Sequence, residues 1–248
     1  MTAGTGPAAA AALRALHHDR RPGDPLILPT VWDAAGARVF ADAGFPALAT
    51  PSAGIAASLG YPDGETPADE MFAAIARIVR AVDVPVTADV EAGYGLSATE
   101  LVGRLADAGA VGCNLEDSDH ASGALRNPRE QAEWLAEVRA AAGDALVVNA
   151  RVDTFLRGDT GIAAAVERAR RYAEAGADCI YPILAPPALL PELAAAIALP
   201  LNAMARSDGP SPRELGALGA ARITFGGGLQ SAATEALARV AQRLREGN

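Results

Sequence analysis

Lysine is missing from this 248-residue chain, so the 21 basic residues are all arginine, set against 30 acids for a formal net charge of -9. The arginines form no basic run and aromatics make up only 4% of the residues, so the chain lacks the electrostatic footprint of a nucleic-acid binder. The arginine-only usage, with abundant alanine and glycine, reads as a coding bias rather than as chemistry. Cysteine is scarce: Cys113 and Cys179 each sit inside an apolar run, GAVGCNLE and GADCIYPIL, and read as buried strand thiols rather than a disulfide framework. No apolar stretch reaches membrane-spanning length without a charge or a proline. The opening MTAGTGPAAAAALRALHHDR lacks the basic start and long apolar segment of a signal peptide. A soluble cytoplasmic protein with no membrane partner is the expectation.

What is present is a repeat of two patterns. Short apolar runs read as strands at 26–32, 45–51, 84–90, 110–116, 145–151, 179–184, 199–205 and 221–227. Alanine-rich stretches of helical period separate most of them: 33–44, 67–82, 97–109, 128–143, 161–176 and 211–219, with 231–247 closing the chain. ADAGF, ADAGA and AEAGA each fall just before a strand, which makes Gly44, Gly109 and Gly176 helix-ending glycines. About eight βα units in a chain of this length are the arithmetic of a TIM (β/α)8 barrel. An α/β fold of that kind, one domain over 1–248, is therefore expected, with a leading helix to about Arg21 packed outside the barrel. The runner-up is a doubly wound open sheet, but TVWDAAGARV, after the first strand, has no GxGxxG.

Polar residues gather where these strands end, the face on which such barrels do chemistry. In TADVEAGYG, Asp89 and Glu91 stand two apart and would share a strand face. Glu116 ends the fourth strand, and Asp63 follows the second within YPDGE. Acids so close repel unless a cation relieves them. Oxygen ligands without neighbouring histidine or cysteine favour Mg²⁺, or Mn²⁺, over zinc. Asp89 is the expected direct ligand, with Glu91 and Glu116 completing the metal site. Ser52-Ala53-Gly54 reads either as an ordinary turn or as a backbone grip for a carboxylate. Arg151 at a strand end needs an anionic partner, a structural acid or a bound substrate. Asn149 and Asn202 lie on the fifth and seventh strands, and Trp32 is either core or pocket floor. His17 and His18 read as surface residues and His120 as either a solvated loop histidine or a catalytic one. Gly226-Gly227-Gly228 allows close backbone approach.

Taken in order, PSAGIAASLGYPDGE, TADVEAGYG, NLEDS, VNARVDTFLRG, LNAMA and ITFGGGL resemble the isocitrate lyase/phosphoenolpyruvate mutase superfamily, over about Leu28 to Gly228. The resemblance implies a TIM barrel that binds Mg²⁺ and small 2-oxo acids and makes or breaks C–C or P–C bonds beside a carboxylate. It places Ser52, Ala53 and Gly54 on the substrate carboxylate, Asp63 near the metal, Asp89, Glu91 and Glu116 at the metal site, and Arg151 on substrate oxygens. It also implies tetramers exchanging a C-terminal helix. The loop EDSDHASGALRNP departs from the family, having neither the cysteine of the isocitrate lyases nor the lysine of the phosphonate enzymes, and Tyr181-Pro182 stands where some relatives carry histidine.

The expected function is a Mg²⁺-dependent lyase cleaving a C–C bond of a small 2-oxo or 2-hydroxy di- or tricarboxylic acid, by decarboxylation or retro-aldol cleavage through a metal-stabilised enolate. Arg151 would meet the developing charge, with Tyr94 and His120 as candidate proton-transfer groups. Two alternatives stand beside it: a phosphonopyruvate or phosphoenolpyruvate mutase or hydrolase, and a non-catalytic 2-oxo acid binding protein. A homo-oligomer, dimer or tetramer, is expected.

Overall fold

The computed structural model describes residues 4–18, 20–21, 23–120 and 122–247. Eight strands coincide with the eight apolar runs, β5 passing the end of its run by one residue: β1 (Leu26–Ile27), β2 (Leu48–Thr50), β3 (Val86–Asp89), β4 (Gly112–Glu116), β5 (Val147–Val152), β6 (Cys179–Pro182), β7 (Asn202–Met204) and β8 (Arg222–Thr224). They pair in parallel as β1-β8-β7 and β2-β3-β4-β5-β6. Single bridges, Thr30 to Ala49 and Ile180 to Leu201, join the two sheets at both seams and close the ring. The result is a TIM barrel rather than an open doubly wound sheet.

The helices follow from local chemistry. After α1 (Gly6–His17), α2 (Ala34–Asp42) is capped by Asp33, whose carboxylate accepts from Gly36 N–H at 2.6 Å. Serines 97 and 211 each form a reciprocal capping box, with Glu100 and Glu214, to start α5 (Ala98–Ala108) and α9 (Pro212–Ala217). Gly44, Gly109 and Gly176 take left-handed φ of 90°, 78° and 95° just past their helices, as the repeated motif requires. The remaining helices are α3 (Ser52–Leu59), α4 (Ala68–Val79), α6 (Pro128–Ala142), α7 (Ala163–Glu174), α8 (Leu190–Ala196) and α10 (Gly228–Arg245). The sequence pattern missed α3 and α8, which are short and lack the Ser-x-x-Glu capping signal that marked the equally short α9. No helix among the described residues is long and apolar enough to cross a membrane.

Strand residues alternate between two environments. Cys113, Leu115, Val148, Ala150 and Ile180 face outward and pack with Met71, Ile75, Ile78, Leu101, Leu105, Leu135 and Val138 of the helices. Each fully buried aliphatic of this layer contributes about 1.5–3 kcal/mol relative to exposure. The intervening residues face the barrel axis, and they are largely polar: Thr87, Asn114, Glu116, Asn149, Asn202, Arg222 and Thr224 are all buried.

The leading helix does not lie outside the barrel wall. It spans the N-terminal end, where Leu13 and His17 are buried and Arg14 pairs with Asp178 at 2.7 Å. Arg139 reaches Asp178 as well. His17, expected at the surface, is instead 2% exposed. Its Nδ1 lies 2.7 Å from the Leu13 carbonyl, which only accepts, so Nδ1 carries the proton and Nε2 accepts from Arg222 Nη1 at 3.3 Å. Burial first, then the Arg222 charge, lowers its pKa to about 3.

A pH prediction follows from this depressed value. Between pH 6.5 and about 3 the unfolded chain protonates His17 while the folded chain does not, so stability falls as pH falls through that window. Substituting His17→Gln keeps an acceptor for Arg222 and removes this loss. The stability difference between wild type and variant should shift in the variant's favour by about 1.4 kcal/mol per pH unit of acidification within the window, measured by denaturant unfolding at a series of pH values. A constant difference across pH 3–6.5 would show that His17 is not buried neutral.

Candidate active site

The site assembles at the C-terminal ends of β2 to β5. Asp89 ends β3; its N–H donates to Thr50 Oγ1 at 3.3 Å, and its Oδ1 accepts from Glu91 N–H at 3.2 Å. Glu91 is not a strand residue. Its φ of 52° turns the chain out of β3 into the left-handed region, so the two acids are brought together by a tight turn rather than by the shared strand face expected from their spacing. Tyr94, three residues on, has a φ of 54°. Non-glycine residues held in this region are strained and cluster at functional sites.

Burial, opposed by Arg151 and reinforced by Glu116, raises Asp89 to about 6. Glu91 rises to about 7, through burial and then the charge of Asp89. Glu91 Oε1 is buried with no hydrogen-bond partner among the described residues, as is the Tyr94 hydroxyl. Burial, then the Glu91 charge, pushes the Tyr94 phenol well above its ordinary value, so it stays protonated. Asp63 is exposed on the loop after α3 and adds to the same negative field.

Glu116 behaves differently from Asp89 and Glu91. Arg151 Nη1 meets its Oε2 at 2.6 Å and His120 Nε2 its Oε1 at 2.6 Å. Burial pushes Glu116 up, but the His120 hydrogen bond and the Arg151 charge outweigh it and hold the carboxyl below its usual value. The Glu116 hydrogen bond in turn raises His120. His120 is therefore tied into the site and is not a freely solvated loop residue. It lies 3.9 Å from Glu91 Oε2, and a Cβ on Gly64 would come within 2.8 Å of its Nδ1. The loop carrying Asp63 thus packs against the imidazole.

Arg151 is the hub. Besides Glu116 it binds Asp153, Nε to Oδ1 at 2.7 Å and Nη2 to Oδ2 at 3.1 Å. Burial lowers the guanidinium's pKa, but Glu116 and Asp153 outweigh it and raise it further. Asp153 also accepts from Ser118 Oγ at 2.6 Å, and its N–H donates to Asp117 Oδ1 at 2.8 Å. Asp117 is held by Arg168 at 2.9 Å and Tyr172 at 2.7 Å. The sequence reading named neither Asp153 nor Asp117 as a site residue. The RVD spacing carried the signal for Asp153, since an acid two residues beyond an inward arginine shares its face.

Across the mouth, Ser52-Ala53-Gly54 forms the first turn of α3 and is not a loop turn. The N–H groups of these residues find no acceptor among the described residues, so a free helix N-terminus faces this end of the barrel. A Cβ on Gly54 would lie 2.8 Å from Pro51 Cγ and 3.5 Å from the Cβ of half-buried Trp32, so glycine alone lets this turn pack there. Asn149 and Asn202 are buried deeper in the barrel and bond each other at 3.1 Å.

Among the described residues no three histidine, cysteine or acidic side chains form a ready-made metal cage, and Glu116 is engaged by Arg151 and His120. Asp89 and Glu91 still fit a small hard cation. Their donors are all carboxylate oxygens, one of them a buried acceptor left without a partner. Mg²⁺ needs only one or two carboxylates, with water completing its shell.

The phosphoenolpyruvate phosphomutase family model matches residues 13–245. The chain is 31% identical over 204 residues to a 2-methylisocitrate lyase of Escherichia coli, covering 76% of this chain and 68% of that one. A crystal structure described as a "putative phosphonomutase" from Burkholderia cenocepacia superposes with a TM-score of 0.87 at 43% identity, over 94% of this chain and 99% of that chain. Oxaloacetate acetylhydrolase in complex with oxalate superposes with a TM-score of 0.85 at 25% identity, over 97% and 88%. The closed barrel, the acids at its mouth and these likenesses agree: the chain is an enzyme of the isocitrate lyase/phosphoenolpyruvate mutase superfamily, a family of lyases and mutases.

Proposed function

We propose that the protein is a Mg²⁺-dependent lyase that cleaves a C–C bond of a small 2-oxo or 2-hydroxy di- or tricarboxylic acid. The observation that carries this reading is the placement of a buried arginine, Arg151, opposite an acid pair, Asp89 and Glu91, whose burial calls for a cation. Asp89 and Glu91 would hold Mg²⁺, which when bound supplies Lewis-acid polarisation of the substrate's oxygens. The free N–H groups of Ser52, Ala53 and Gly54 bind a substrate carboxylate. Arg151, oriented by Asp153, meets the charge that gathers on the 2-oxygen as the bond breaks. His120, a charge-assisted donor to Glu116, and the protonated Tyr94 hydroxyl would return a proton to carbon.

The phosphonate alternative rests on the likeness to mutases. The loop residues that could serve it are otherwise engaged: Asn127 caps α6, accepting from Arg129 N–H at 2.9 Å, and Arg126 lies over Trp134 with 5.7 Å to the ring centroid. The test is a panel of 2-oxo and 2-hydroxy acids, with phosphonopyruvate included, followed by NMR with Mg²⁺ or with EDTA. Release of a carbon fragment only with Mg²⁺ is expected. Phosphate or phosphoenolpyruvate from phosphonopyruvate would replace this reading with the phosphonate one, and ligand-induced thermal shifts without turnover would replace it with a binding protein.

The same reading includes a homo-oligomer. α10 has no buried residue over its whole length, and Leu237 and Leu244 are 68% and 71% exposed. An amphipathic helix whose apolar residues its own barrel leaves uncovered fits exchange with a neighbouring copy. Leu237→Asp with Leu244→Asp should lower the mass in sedimentation to that of a monomer, and an unchanged mass would remove α10 from the interface.

A further inference from the structure

Arg222, on β8, is 0% exposed inside the barrel, and among the described residues no carboxylate lies within ion-pair distance of it. Its contacts are neutral: Nη2 donates to Asn114 Oδ1 at 3.1 Å and Nη1 to His17 Nε2 at 3.3 Å, while Nε has no partner. A guanidinium does not lose its proton in a protein, so this is a buried charge without a contact counterion. Such a charge is strongly unfavourable unless something else offsets it.

The polar interior shows where the offset lies. Asn114, which accepts from Arg222, is the register partner of Asp89 on the neighbouring strand. Asn149 Nδ2 donates to Asn114 Oδ1 at 2.8 Å and to Asn202 Oδ1 at 3.1 Å, and Asn202 Nδ2 donates to Thr224 Oγ1 at 2.9 Å. These amides form one connected layer directly under the mouth, with the guanidinium among them. Above them stand Asp89, Glu91 and Asp63, while Glu116 is already matched by Arg151. A substrate with two or three carboxylates entering that mouth meets acids whose three negative charges one Mg²⁺ would offset only in part, so repulsion remains. In the low-dielectric interior, a fixed positive charge beneath opposes that repulsion with little screening by salt.

We propose that Arg222 is a positioning residue for substrate binding, a permanent cation beneath the site whose field, with the amide layer it orders, holds an anionic substrate against the surrounding acids. This rests on the functional reading above and adds a residue to it. The test is calorimetric titration of oxalate onto the Mg²⁺-loaded protein, with thermal melting of every variant. Arg222→Met should weaken oxalate about ten-fold, and so should Arg222→Gln, a shorter polar side chain without the charge. Arg222→Lys should stay within about three-fold of wild type even with a lower melting temperature. Neutral variants that melt earlier yet bind oxalate as wild type does would overturn the inference and leave Arg222 a structural plug. Failure of both neutral variants to fold would also overturn it, by showing that the charge serves the barrel. Wild-type protein that does not bind oxalate at all would sink the functional reading itself, a different result from a variant that binds unchanged.

Discussion

Arg151→Met should lower kcat on the true substrate by at least 10²–10³-fold, the typical loss on removing one donor to a developing oxyanion. It should also destabilise the fold by roughly 3–5 kcal/mol, because Glu116 and Asp153 then stay buried without the guanidinium, keeping only the contacts from His120 and Ser118. The two effects separate by experiment. Arg151→Lys keeps the charge but cannot reproduce the two contacts to Asp153, so it should recover much of the stability and little of the rate. Denaturant unfolding and steady-state kinetics on the same preparations read both. A folded Arg151→Met enzyme with wild-type kcat would refute the role given to the guanidinium.

Asp89→Asn should abolish Mg²⁺-dependent turnover and weaken Mg²⁺ binding at least ~10–100-fold, since it removes the expected direct ligand. A pH signature accompanies the loss. In the metal-free protein Asp89 and Glu91 hold protons up to about 6 and 7. Both are raised, so the folded state binds more protons than the unfolded one from the ordinary carboxylate range up to those values, and metal-free stability falls as pH rises through that window. Mg²⁺ needs the ionised carboxylates, so its binding should tighten from pH 5 to 7 and release protons. Titrating Mg²⁺ near pH 6 in buffers of differing ionisation enthalpy measures that release. Asp89→Asn should show less of it, while wild type releasing no protons at pH 6 would mean that these acids are not the metal's ligands.

How much of this was legible beforehand varies from element to element. Each strand run contained its strand to within one residue, and the repeated AGA and AGF endings marked the helix stops, because both signals are written in neighbouring residues. α3 escaped notice since SAGIAASL offers eight residues and no polar face to set a period. Asp89, Glu91, Glu116 and Arg151 lie together at one end while Asn149 and Asn202 lie deeper, and their partners were not readable. Glu116 and Arg151 are 35 positions apart and become register partners only when β4 lies beside β5. His17 and Arg222 are 205 apart and touch only because α1 spans the barrel's closed end.

The sequence alone determined the order of strands and helices, the barrel's repeat and which residue types lie at its mouth, since periodicity and capping act over a few residues. Tertiary closure decided which acid keeps its charge. Burial raises Asp89 and Glu91, an arginine and a histidine from other segments hold Glu116 ionised, and Arg222 is sealed beneath them. The physical reason is that ionisation depends on desolvation and on charges within a few ångströms in space, and neither exists until the ring of strands has closed.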